Sequence, residues 1–191
     1  MQFYENTYYH LFNRTNNEEV LFRSDDNYLY FLKKYRFYLD EYLDTIGYCL
    51  MPTHFHFLVK VKDGLHLQGG VHLKDSSINL SRIISDKIGI FLSSYTKSIN
   101  KRYNRHGSLF QEHTKAKPIA NDKYLITLLT YIHQNPVRSG LTSKAEEWLY
   151  SSYQDYIEFR NGKLPKKELI LGMIKKEDLK ELTERKIIES I

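Results

Sequence analysis

Residues 51–60 read MPTHFHFLVK, with His54 and His56 on either side of Phe55. If this stretch is a strand, alternate residues share a face, and the two imidazoles lie side by side about 7 Å apart along the chain. From there both can turn onto one divalent metal ion, for which neutral imidazole is a common ligand. The same spacing also suits surface histidines, or core histidines held by hydrogen bonds. Spacing alone does not choose, and a third ligand has to come from elsewhere in the chain.

A second set lies in Asp122 to Asn135, where Leu125, Leu129 and Ile132 recur at helical spacing. On such a helix Tyr124, Leu128, Tyr131 and Asn135 fall within about 40° of one another, at the margin of the buried stripe. A phenol one turn from an amide oxygen, beside a metal, can attack phosphorus as a nucleophile. Tyr131 is also one of sixteen tyrosines, most of which pack. Asn135 precedes Pro136, which disfavours helical geometry at that residue and is expected to end the helix there.

The elements that must position these groups follow from the pattern. Tyr8 to Arg14 alternates as a strand. After Ser24, a candidate N-cap, Tyr28, Phe31, Leu32, Tyr35, Leu39 and Tyr42 mark a helix over 25–42. Thr45 to Met51 and His54 to Val61 are β-rich runs around Pro52-Thr53, and they are expected to pair as a hairpin. In the second run Phe55, Phe57, Val59 and Val61 face a core, while His54, His56, Leu58 and Lys60 face the other way. Residues 62–77 read as a loop. A long helix spans about 80–103, and GSLFQEHTKAKPI (107–119) is extended. The tail after Pro165, with apolar Leu169, Ile170, Met173, Leu179, Leu182 and Ile187, is expected to be helical. Strands and helices in this order predict an α+β sandwich, an antiparallel sheet covered by helices.

The chain has 191 residues, 41% of them hydrophobic and 27% charged, which suits one folded domain rather than a disordered chain. Its single cysteine, Cys49, excludes an internal disulfide and fits a reducing cytoplasm. No stretch approaches a membrane span, and the N-terminus lacks a signal-peptide pattern. The net charge of +5 makes a polyanion a reasonable partner.

Three strings in order, YCLMPTHFHFLVK, YNRHGSLFQEHTKAKPI and YLITLLTYIHQNPVRSGL, resemble the single-tyrosine HUH transposases, and most closely their REP-associated tyrosine transposase branch. YYHLFNRTNNEEVLF and WLYSSYQDY extend the resemblance over about Tyr8 to Tyr156. It implies a ferredoxin-like sheet with the His54-Phe55-His56 strand at its centre. It also implies a catalytic domain over 1–158 and leaves 159–191 as a helical extension of unassigned role. By motif position, Tyr131 matches the nucleophile and Asn135 the polar residue that completes a metal site with His54 and His56. The implied metal is Mg²⁺ or Mn²⁺. The implied reaction cuts single-stranded DNA beside a hairpin, leaves a 5′-phosphotyrosine, and rejoins by reverse attack. The implied setting is the bacterial cytoplasm, with the chain on the nucleoid when DNA-bound, as a monomer or homodimer.

Arg102, Arg105, Lys115, Lys117 and Arg138 are candidate phosphate contacts, or simply solvated charges. Two other functions stay open. A binding module would keep hairpin or single-strand recognition without cutting. A metal-dependent hydrolase would activate water instead of a tyrosine.

Overall fold

The computed structural model describes residues 1–65 and 77–185. The element order is β1 (Tyr8–Arg14), α1 (Asp25–Leu39), β2 (Leu43–Met51), β3 (His54–Val61), α2 (Ser77–Tyr103), β4 (Lys115–Pro118) and α3 (Asp122–Arg138). Three short helices follow: α4 (Tyr153–Tyr156), α5 (Glu168–Leu171) and α6 (Lys176–Glu184). Most of the loop expected over 62–77 lies outside the described residues, as does Ile187.

The four strands form one antiparallel sheet in the order β2-β3-β1-β4. β2 and β3 make the expected hairpin, with Met51 opposite His54. The alternation in β3 divides two cores. Phe55, Phe57, Val59 and Val61 pack under α1 and α2, where the Tyr35 ring stacks on Phe57 at 4.0 Å between centroids. Leu58, on the opposite face, joins Ile46, Cys49 and Met51 of β2 beneath Leu125, Leu129 and Ile132 of α3. Ile170 of α5 and Leu179 of α6 extend this second core behind α3.

Several boundaries differ from the sequence expectation. Helix α1 ends at Leu39, and Tyr42 is buried in the turn that leads into β2. Ser24 occupies the N-cap with extended backbone, but its hydroxyl caps nothing. Of the extended stretch 107–119, only Lys115–Pro118 pairs as a strand, while Phe110 makes an isolated bridge to Thr15. Pro136 does not end α3, which runs on to Arg138. Proline removes the N–H that would bond the carbonyl four residues back, here Ile132. The Asn135 side chain supplies a donor in its place, with Nδ2 3.4 Å from Ile132 O and 3.0 Å from Tyr131 O.

Candidate active site

The site lies on the sheet face that α3 only half covers. Helix α3 packs across β2 and β3, and the β1–β4 side beyond it carries half-buried His10 and Phe12 with exposed Lys115 and Lys117. Two features fix α3 there. Asn121 caps its start, accepting from the Tyr124 N–H at 2.9 Å. Gly47 of β2 lets the helix approach the sheet, because a Cβ at that position would run into Leu129 Cδ1 and lie 3.3 Å from Ser152 Oγ.

A pocket of about 420 Å³ opens where the edge of α3 meets β3 and β1. His54, His56, Tyr131 and Asn135 all line it, so two strand residues and two helix residues 75 or more positions away converge on one cavity. Phe12, Asn13 and Arg14 of β1 form another wall, and Gln111, His113 and Lys115 complete it. The Tyr131 and His56 rings meet edge to face at 6.2 Å. Tyr131 is 40% exposed, which leaves its phenol within reach of a ligand, whereas Asn135 is only 5% exposed. Because Asn135 Nδ2 is engaged with helix carbonyls, its Oδ1 is the atom left to face the cavity. Tyr124 shares the helix side but is half exposed and does not line the pocket.

The surroundings of both site histidines favour the neutral ring. Burial lowers the pKa of His56 well below the usual value, and nearby His10 and His54 add to the effect. Burial also lowers that of His54, with a contribution from Arg14. A neutral imidazole offers a nitrogen lone pair to a metal. Two such rings and an amide oxygen could hold a divalent ion that keeps open positions for phosphate oxygens or water. Among the described residues no three His, Cys, Asp or Glu side chains are grouped to hold a metal; the amides that line the pocket are those of Asn13, Gln111 and Asn135.

No family model matches the chain. A Haemophilus influenzae protein assigned by name to the REP-associated tyrosine transposases is 23% identical over 119 residues, 58% of this chain and 58% of the relative. The chain therefore matches less than two thirds of that relative's length. A solved structure of a REP-associated tyrosine transposase bound to a REP hairpin superposes with a TM-score of 0.56 at 18% identity, over 83% of this chain and 82% of that one. The fold is that of a REP-associated tyrosine transposase. Both of these proteins belong to the branch that the HUH and tyrosine motifs resemble.

The five basic residues named from the sequence fall in different places. Lys115 lines the pocket, and Lys115 and Lys117 each hold Nζ 5.9 Å from the Phe12 ring centre. Arg138 lies over the Tyr131 ring at 5.5 Å and bonds to Gln134 Oε1. Arg102 lies in the last turn of α2, over Tyr103 and 3.4 Å from Asp26. Arg105 is committed inside the fold: its side chain is 11% exposed, paired with Glu19 at 2.8 Å, and bonded to Asn100. A guanidinium so enclosed is a clamp between the α2 end and the β1–α1 connection, not a free phosphate contact.

Residue type and spacing do not single out His10, Phe12 and Arg14. They lie on the histidine face because Phe12 pairs with His56 and Arg14 with His54. The alternation of β1 was legible, but which strand it pairs with, and in what register, is a long-range property. Among the described residues no helix is long and apolar enough to cross a membrane.

Proposed function

We propose that this chain is a metal-dependent single-stranded DNA endonuclease and strand transferase that cuts and rejoins DNA beside hairpins through a 5′-phosphotyrosine. The observation that carries this reading is the convergence of His54, His56, Tyr131 and Asn135 on one open pocket. The likeness to a REP-associated tyrosine transposase whose structure holds a REP hairpin supports the choice of substrate class.

His54 Nε2, His56 Nε2 and Asn135 Oδ1 would hold the ion. When bound, Mg²⁺ or Mn²⁺ withdraws charge from the scissile phosphate and offsets the charge that builds on its oxygens. Tyr131 performs the substitution. Its Oη attacks phosphorus as the P–O3′ bond breaks; the phenolic proton is lost, and the departing 3′ oxygen takes up a proton to become a free hydroxyl. The 5′ end is left esterified to Tyr131. Attack by a 3′-hydroxyl on the same phosphorus reverses the step, releases the phenol and joins the strands. Placement on a helix packed against a sheet keeps Tyr131 close to the ligand set, and such pre-orientation accounts for much of the rate in phosphoryl transfer. Lys115, Lys117 and Arg14 lie along the open side, where a DNA backbone would approach.

Covalent trapping tests the reading. Labelled hairpin DNA with a single-stranded flank is incubated with protein and Mn²⁺, then run on a denaturing gel. A protein–DNA adduct, mapped by mass spectrometry to Tyr131 and absent in excess EDTA, is the expected result. Cutting without an adduct assigns the chemistry to water instead. Tight binding without cutting makes the chain a binding module.

A further inference from the structure

His10 Nε2 lies 2.9 Å from His56 Nδ1, and the two rings stack at 5.1 Å. On the neighbouring ligand, Thr53 Oγ1 lies 3.1 Å from His54 Nδ1. The Nδ1 atoms of both pocket histidines are therefore occupied by partners that belong to the sheet and its turn. The hydrogen bonds these two rings make among the described residues both use Nδ1, and both rings line the pocket.

A 2.9 Å contact between two ring nitrogens holds one proton, and two arrangements satisfy it. If His10 donates, His56 Nδ1 is the acceptor. The neutral His56 ring then carries its proton on Nε2, and that nitrogen has no in-plane lone pair for a metal. If His56 donates, its Nε2 keeps the lone pair, and His10 must hold its own proton on Nδ1. Only the second arrangement is compatible with a ligand set facing the pocket. Metal-binding histidines characteristically donate their other N–H to a fixed acceptor, which sets both tautomer and ring orientation. Thr53 can act in the same way, since a hydroxyl oxygen accepts as well as donates.

We propose that His10 and Thr53 are positioning residues, accepting the Nδ1–H of His56 and His54 respectively and thereby presenting both Nε2 lone pairs to a divalent cation. This rests on the proposed metal-dependent function and adds to it which atoms bind and what orients them.

The test has two arms on the full chain. The first uses ¹⁵N-labelled wild-type protein without metal and reads the histidine tautomers from long-range ¹H–¹⁵N correlation spectra. The expected pattern is a protonated Nδ1 and unprotonated Nε2 on His54, His56 and His10 alike. A protonated Nε2 on His56 overturns the proposal. The second arm measures Mn²⁺ binding by calorimetry. His10→Ala should weaken it about 10–100-fold. His10→Gln, whose amide oxygen can accept, should recover most of the loss, as a merely space-filling role would not require. Unchanged affinity in a folded His10→Ala overturns the proposal. If wild-type protein binds no Mn²⁺, the metal-dependent function fails, and the tautomers alone decide whether His10 and Thr53 set the rings.

Discussion

The Asn135 side chain donates Nδ2–H toward the carbonyl oxygen of Ile132, the backbone acceptor that loses its helical donor because residue 136 is proline. One amide thus repairs a helix with its nitrogen and leaves its oxygen for the pocket. Asn135→Asp separates the two roles. A carboxylate can still bind a cation, but it cannot donate and it faces two carbonyl oxygens. Mn²⁺ binding should survive while stability falls by about 1–3 kcal/mol, read from denaturant midpoints. Asn135→Ala should lose both.

Tyr131→Phe removes one oxygen from a side chain that is 40% exposed. Stability should change by less than about 0.5 kcal/mol, and hairpin binding should be retained. The covalent adduct should disappear on denaturing gels. Tyr124→Phe should remain active, because Tyr124 does not line the pocket.

Gly47→Ala tests how closely α3 must approach the sheet. The added methyl meets Leu129 Cδ1, so the helix has to move or the core has to rearrange. Overpacking of this kind costs about 1–3 kcal/mol. The expected result is a lower melting temperature together with slower cleavage, since Tyr131 rides on the displaced helix. A variant that is destabilised but cuts at the wild-type rate would show that the α3 position is not critical.

Stability should fall as the solution is acidified, well before carboxylates are protonated. Burial pushes the His133 pKa down to about 3, and the same cause pushes His10 down to about 4. In the unfolded chain both titrate near 6.5. Between these values the unfolded state binds more protons than the folded one, so acid favours unfolding. The histidine contribution is complete above about pH 6.5 and is lost as the pH falls toward the folded values. Denaturant midpoints at pH 7.5 and pH 5 should show this slope, and His133→Gln should flatten it.

Salt dependence sorts the basic residues. If Lys115 and Lys117 contact phosphates, Lys→Ala at each should weaken single-strand binding and reduce the slope of log K against log salt by about 0.7. Arg105→Ala should leave that slope alone and instead lower stability, because its guanidinium is paired with Glu19 inside the fold.

These contrasts show what the sequence made legible. β3 was readable in full because aromatic and β-branched residues alternate strictly from His54 to Val61, and its two faces became the two cores. The Tyr131 and Asn135 pairing was readable from helical phase. Pro136 misled because its disruption is repaired by a side chain, an effect that propensity does not contain. Arg105 misled because its partner, Glu19, lies 86 positions away. His10 was not legible, since only strand register carries it to His56.

The sheet has two edges, and each is defended differently. Along β2, the Tyr150–Ser152 segment bonds to the backbone of Tyr48 and Leu50 and covers that side. β4 stands at the other edge with only four residues, KAKP, two of them lysines and the last a proline. Short length, like charge and a missing N–H all discourage another chain from adding a strand. The lysines set beside the pocket therefore also act as gatekeepers. Replacing them with valine to weaken nucleic-acid binding would at the same time expose a strand edge suited to self-association and aggregation.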